Sequence, residues 1–255
     1  MNFRNFRNNH DMYNLSAKEL HLIHEGLLGL LKVFRDVCEK ENIWYSLAFG
    51  TVLGAVRHKG FIPWDTDADV YIKLPDVHKF RKAFKNHHPN GVLIDDRESN
   101  PKNTKSHDII YFEKKTSFSD LHLDIYPLVG APDDQEAQKK FWKKCQILDK
   151  IFRSKYVNVA DCIPKNKPIV TVVKLLDRLI PDSIIRANID KREKQNDFES
   201  SNYWFSLVGA YGPVDKHVFD TRELMKFEDD EFYVPGNWDL YLKTCYGDYM
   251  TPRKY

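Results

Sequence analysis

Cysteine is scarce in this chain: four among 255 residues, with no C-x-x-C and no close Cys/His pairing. A disulfide framework is therefore excluded, and a structural zinc is disfavoured. Long apolar runs are missing too. The greasiest stretch, Leu27 to Val37, is interrupted by Lys32, Arg35 and Asp36, far short of the ~20 apolar residues of a membrane span. Residues 1–14 are basic and asparagine-rich and hold no apolar core of a secretory signal. Neither charge sign dominates: 39 Lys and Arg against 37 Asp and Glu give +2, which argues against nucleic acid as a partner. Internal repeats and low-complexity tracts are absent as well. These absences point to a soluble, cytoplasmic chain. They leave open a peripheral contact at the inner face of a membrane, which needs only a basic helix face.

What is present describes a folding globule, with 42% hydrophobic and 30% charged residues. Residues 1–15 read as a flexible arm. Ser16 and Glu19 form an S-x-x-E capping box, and Leu20, Ile23, Leu27, Leu30, Phe34 and Val37 follow at helical spacing. Strands are expected at 43–49, 65–72, 91–95, 108–114 and 121–126, with short helices at 52–58 and 75–88 between them. The second half changes character. Helices are expected at 133–156, 167–179 and 183–200, a strand or buried loop at 203–211, and a helix at 238–245 in an aromatic-rich tail. The pattern predicts an α+β fold, a mixed β-sheet core flanked by helices with a mostly helical C-terminal half. It divides into a core at 16–130 and a helical and C-terminal segment at 131–255 packed on that core.

The strongest local signal is acidic. In a strand from Asp65 to Ile72, alternation would place Asp65, Asp67 and Asp69 on one face and Ala68, Val70 and Ile72 on the other. Carboxylates ~7 Å apart per two-residue step repel one another, and a divalent cation between them removes the repulsion. Mg²⁺ takes hard oxygen ligands of this kind together with substrate phosphates. A solvated strand end is the ordinary reading of an isolated D-x-D. Two features count against it here. Asp124 is a lone acid inside the apolar strand Leu121, Leu123, Ile125, and a buried carboxylate calls for a partner. Beside Asp67 and Asp69 it would be a third ligand of a two-metal site. Gly50 and Thr51 lie where a strand passes into a helix, a turn whose free amides suit a phosphate. Arg57, near the end of that helix, could pair with a phosphate or with the acids.

The block from Ala48 to Val70 resembles the signature of the LicD family of phosphotransferases, within the nucleotidyltransferase superfamily. The likeness continues in Asp124-Ile125-Tyr126-Pro127-Leu128, in Val234 to Leu242 and in Tyr246-Gly247-Asp248-Tyr249-Met250. Thr66 stands where the family usually has an acid, and Thr251 to Tyr255 is a shortened ending. The resemblance implies a nucleotidyltransferase-like core and metal-dependent transfer of phosphocholine, or a related substituted phosphate. The donor would be CDP-choline or another CDP-alcohol, and the acceptor a hydroxyl of a cell-surface saccharide, lipid-linked ones included. Asp67, Asp69 and Asp124 would be the catalytic acids and the ligands of Mg²⁺ or Mn²⁺. Gly50, Thr51, Arg57, Trp64 and Asp65 would bind substrate. Two competitors stay on the page: nucleotidyl transfer to a small acceptor, and a non-catalytic glycan- or nucleotide-binding protein on a retired fold. Trp204, Tyr211, Trp238, Tyr246 and Tyr249 are candidates for a choline cage, although aromatics at such spacing more often pack a core. His122 shares a strand face with Asp124 and could stand behind it.

Overall fold

The computed structural model describes residues 15–87, 91–100, 105–113, 121–156, 158–161, 167–176, 179, 181–207 and 211–251. The expected N-terminal arm falls outside them apart from Leu15, as do Pro89, Lys114 and Pro164.

Helix α1 (Ala17–Lys40) opens on the expected capping box, in which Ser16 Oγ accepts the Glu19 amide and Glu19 accepts the Ser16 amide. Its buried face is Ile23, Leu27, Leu30, Leu31, Phe34, Val37 and Cys38, each large side chain stabilising the fold by about 1.5–3 kcal/mol relative to exposure. Strand β1 (Tyr45–Leu47), helix α2 (Phe49–His58), strand β2 (Asp69–Lys73) and helix α3 (Val77–His87) follow. Then come β3 (Val92–Asp95), β4 (Asp108–Phe112) and β5 (His122–Ala131). After them lie α4 (Gln135–Tyr156), α5 (Lys167–Leu176), α6 (Asp182–Glu193), β6 (Tyr203–Phe205) and β7 (Val214–Asp215). A hairpin, β8 (Arg222–Phe227) and β9 (Asp230–Pro235), and helix α7 (Trp238–Tyr246) complete the described chain.

The sheet runs β1-β2-β5-β4-β3, and β6 joins it along β5 and carries β7. Strands β2 and β5 are parallel and the other pairs antiparallel, so the fold is α+β with a mixed sheet. β2 is buried on both faces, with Val70, Tyr71 and Ile72 all in the core. One core lies under α1, α2, α3 and α7. A smaller one forms where α4 and α6 (Phe141, Cys145, Phe152, Ile185, Ile189) cover the end of β5 and β6.

Several expectations need correction. Strand β2 starts at Asp69, so Asp65 and Asp67 lie in the irregular segment before it and strand alternation does not align them. Strand β1 stops at Leu47, and Gly50 and Thr51 sit inside the first turn of α2 rather than ahead of it. β5 continues to Ala131, past the expected strand end at 126, and α6 ends at Glu193. The β8–β9 hairpin lies in the tail where only one helix was expected; its short strands alternate exposed and buried residues over only six positions each.

Gly54 shows how tightly α2 is seated. A Cβ there would sit 2.5 Å from the Gly60 carbonyl oxygen and 3.3 Å from the Ile62 amide nitrogen. Alanine gains roughly 1 kcal/mol of helix propensity over glycine, but overpacking against backbone costs about 1–3 kcal/mol or more. Gly54→Ala is expected to lower the melting temperature by several degrees in a thermal melt; a rise would mean that the 60–62 segment yields freely.

Candidate active site

The site is built where α2 begins. Phe49 takes a φ of 44°, a region that costs a non-glycine residue about 1–3 kcal/mol and persists where the surroundings hold it. Its amide donates to the Tyr241 hydroxyl at 3.0 Å, which in turn lies 3.1 Å from the Tyr71 hydroxyl. Glycine at position 50 has a different reason: a Cβ there would come within 3.1 Å of Asp65 Oδ2. Its absence lets that carboxylate lie against the helix start. The Asp65 carbonyl is fixed by His24 Nε2 at 2.8 Å, and Asp65 Oδ1 accepts the Thr66 amide at 3.0 Å.

Asp69 and Asp124 are register partners on the adjacent parallel strands β2 and β5. Strands ~4.8 Å apart carry such side chains on the same face as neighbours. Burial, and then the charges of Asp67, Asp124 and Asp65, push the Asp69 carboxyl well above the usual carboxylate range. Burial and then Asp67 raise Asp65 to about 8. Four carboxylates thus crowd one place and oppose one another's ionisation. Asp67 is the exposed member, and Asp65 and Asp69 are partly buried.

Asp124 behaves oppositely. Burial works against its charge, but His107 and then His122 hold it well below the usual range. His107 Nε2 lies 2.6 Å from Asp124 Oδ1, Lys105 Nζ 3.4 Å and His122 Nε2 3.5 Å. His107 is buried, its ring centroid 4.4 Å from that of Tyr126, and its Nδ1 has no hydrogen-bond partner. Burial lowers its own pKa, against the pull of Asp124.

The structure therefore brings Asp65, Asp67, Asp69 and Asp124 to one place. Among the described residues, however, no three His, Cys, Asp or Glu side chains are already drawn together as an ion-binding set. Asp124 faces two histidines and a lysine where an open ligand was expected. The donor chemistry fits a hard divalent cation all the same: oxygen-only ligands at Asp67 and Asp69, in a cluster whose repulsion a cation would relieve.

Gly50, Arg57, Trp64 and Asp65 line one cavity of about 230 Å³. Arg57 donates to the Tyr249 carbonyl at 2.9 Å and to His58 Nε2 at 2.9 Å. Thr51, expected to touch substrate, is buried, and its hydroxyl accepts the Asp69 amide at 2.9 Å. It is a brace between α2 and β2 rather than part of the cavity wall. The candidate cage is split. Trp204 is core, stacked between Phe198 (4.3 Å) and Phe219 (5.9 Å), and Trp238 donates to Glu223. Tyr246 and Tyr249 do line the cavity. His107, Lys105 and His24 went unrecognised in the sequence. The first two precede β4, whose pairing of Asp108 with Ile125 sets His107 beside Asp124, a proximity with no local sequence signal.

A family model described as LicD/FKTN/FKRP, nucleotidyltransferase domain, matches residues 42–163, a span that holds all four acids. The chain is 25% identical to the lipopolysaccharide cholinephosphotransferase LicD of Haemophilus influenzae, over 94% of this chain and 93% of that protein. It is also 37% identical to an uncharacterised protein of Rickettsia typhi, over 28% of this chain and 21% of that one. No helix among the described residues is long and apolar enough to cross a membrane.

Proposed function

We infer, for a chain that belongs to the LicD family, that it transfers phosphocholine from a CDP-activated donor to a hydroxyl of a saccharide. The acceptor class follows the Haemophilus influenzae relative, whose name is that of a lipopolysaccharide cholinephosphotransferase. One observation carries the reading: Asp69 and Asp124 meet in register on parallel strands, with Asp65 and Asp67 crowding the same place beside a cavity. Such mutual repulsion disfavours the apo fold and is retained where a cation and a diphosphate are to be bound.

Asp67 and Asp69, with Asp124 beside them, would hold Mg²⁺ or Mn²⁺. A bound cation supplies neutralisation of the donor diphosphate's charge. The remaining work is positioning, the main part of phosphoryl-transfer catalysis. Gly50 leaves room for Asp65 and exposes the first turn of α2 to a phosphate. Arg57, anchored on the Tyr249 carbonyl, places a guanidinium on the cavity wall. The acceptor oxygen bonds to the phosphocholine phosphorus as the bond to the CMP oxygen breaks; CMP leaves, and the acceptor's hydroxyl proton passes to water or to the departing CMP phosphate. Against the effect of burial, His107 and then His122 hold the Asp124 carboxyl low. Its weakened hold on protons suits charge placement better than proton abstraction, and His107 keeps it so.

The test is incubation with a panel of CDP-alcohols, Mg²⁺ or Mn²⁺ and a saccharide acceptor, scored by CMP release. CDP-choline is expected to give CMP and a phosphocholine-bearing acceptor. Pyrophosphate from a nucleoside triphosphate in place of CMP would establish nucleotidyl transfer instead. No product from any donor, with no binding of a divalent cation, would leave a non-catalytic binding protein.

A further inference from the structure

The cavity beside the acids has a second wall. Trp64, Tyr246 and Tyr249 line it together with Asp65 and Asp248. Of the five tryptophans, Trp64 alone is exposed, at 49%; the other four are buried or partly buried. Its half-exposed indole stands on the wall of the cavity, next to the cluster of carboxylates. Its edge is met by His58 at 6.3 Å, and Tyr246 is backed by Tyr211 at 4.8 Å. The Tyr249 hydroxyl is tied to Asp239 at 2.7 Å. The rings are therefore supported from behind.

We propose that Trp64, Tyr246 and Tyr249, with Asp65 and Asp248, form the subsite for the quaternary ammonium of the donor. This rests on the phosphocholine-transfer reading and deepens it. Aromatic faces attract a trimethylammonium through their quadrupoles, while a fixed cation of that kind offers no hydrogen bond to a polar wall. The Asp248 carboxylate adds long-range attraction. Arg57 and Gly50 on the same cavity suit the phosphate end, so one pocket offers the complement of both halves of a zwitterion. The tryptophan at position 64 comes from the segment that delivers Asp65 and Asp67, so head-group recognition and the acids are set by one stretch of chain.

The experiment is calorimetric titration of the full chain, in Mg²⁺, with two ligands. One is phosphocholine and the other 3,3-dimethylbutyl phosphate, its analogue with a neutral tert-butyl head in place of the trimethylammonium. Wild type is expected to prefer phosphocholine by about tenfold. Trp64→Leu should lose most of that preference while its affinity for the neutral analogue holds, and Trp64→Phe should keep most of it. Tyr249→Phe, which retains the ring, serves where a larger change at 249 prevents folding and should also keep the preference. Equal affinity of wild type for both ligands, undetectable phosphocholine binding, or a Trp64→Leu loss equal for both would overturn the assignment. The outcome is separable from that of the parent reading: CMP release from CDP-choline by wild type, with no preference for the charged ligand, sinks this subsite alone.

Discussion

Asp69→Asn is expected to cut CMP release from CDP-choline by about a thousandfold or more while raising, not lowering, the melting temperature of the metal-free protein. The two effects share one cause. Asp69 is partly buried among Asp67, Asp124 and Asp65, and its carboxyl is pushed well above the ordinary range by burial and by them. An amide keeps the shape and removes one of the repelling charges. The pH dependence follows in sign. Asp65, raised to about 8, binds more protons folded than unfolded, as does Asp69. Their contribution is fully present below the unfolded pKa of ~4 and is lost as pH rises through the folded value. Metal-free wild type should therefore lose stability between about pH 4 and 8, and Asp69→Asn should flatten that loss. Asp124, held low, contributes the other way: its stability is present above ~4 and is lost only as pH falls toward its depressed value. Added Mg²⁺ should raise the melting temperature of wild type more at pH 8 than at pH 6, and that of Asp69→Asn hardly at all. A variant of normal turnover would remove Asp69 from the chemistry. One that melted earlier in the absence of metal would show that the carboxylate supports the fold.

Arg97→Ala is expected to be the most damaging single change away from the acids, costing about 3–5 kcal/mol. Arg97 Nη2 lies 2.6 and 2.7 Å from the two oxygens of Glu193, and their side chains are 8% and 9% exposed. Removing the guanidinium strands the Glu193 carboxylate, whose pKa burial already raises despite Arg97. At about 2–4 °C per kcal/mol for a chain of this size, the melt should fall by roughly 10 °C. The double variant Arg97→Leu, Glu193→Leu should recover most of that loss, because two apolar side chains leave no buried charge behind. A single variant within a degree of wild type would show that water reaches the pair. The bridge ties the segment after β3 to α6.

The legible part of the site was chemistry written in consecutive residues. Asp65, Asp67, Asp69, Gly50, Arg57 and Trp64 stand within about one turn-strand unit, and Asp124 stood out because an acid in an apolar strand needs a partner. The reasons attached to them were less secure. Asp65 and Asp67 converge through an irregular segment held by His24, not through strand alternation. The glycine at 50 answers to the space taken by the Asp65 carboxylate, while the strained φ falls on Phe49. The aromatic cage read from the tail was half wrong. Trp204 and Trp238 pack or bond elsewhere, and Trp64, 20 residues after Trp44 and 78 before Trp142, supplies the exposed ring.

By itself the sequence determined the α+β class, the capped first helix with its buried face, and the presence of an acidic segment at 65–69 and a second lone acid. Periodicity, capping and residue type act over a few neighbouring positions, and those signals survive in one dimension. Tertiary structure alone decided that Asp124 would sit in register with Asp69, that His107 and Lys105 would reach it, and that Tyr246 and Tyr249 would meet Trp64 across the cavity. These contacts depend on strand register and on how the C-terminal helix packs against α2, both set by burial summed over the whole core.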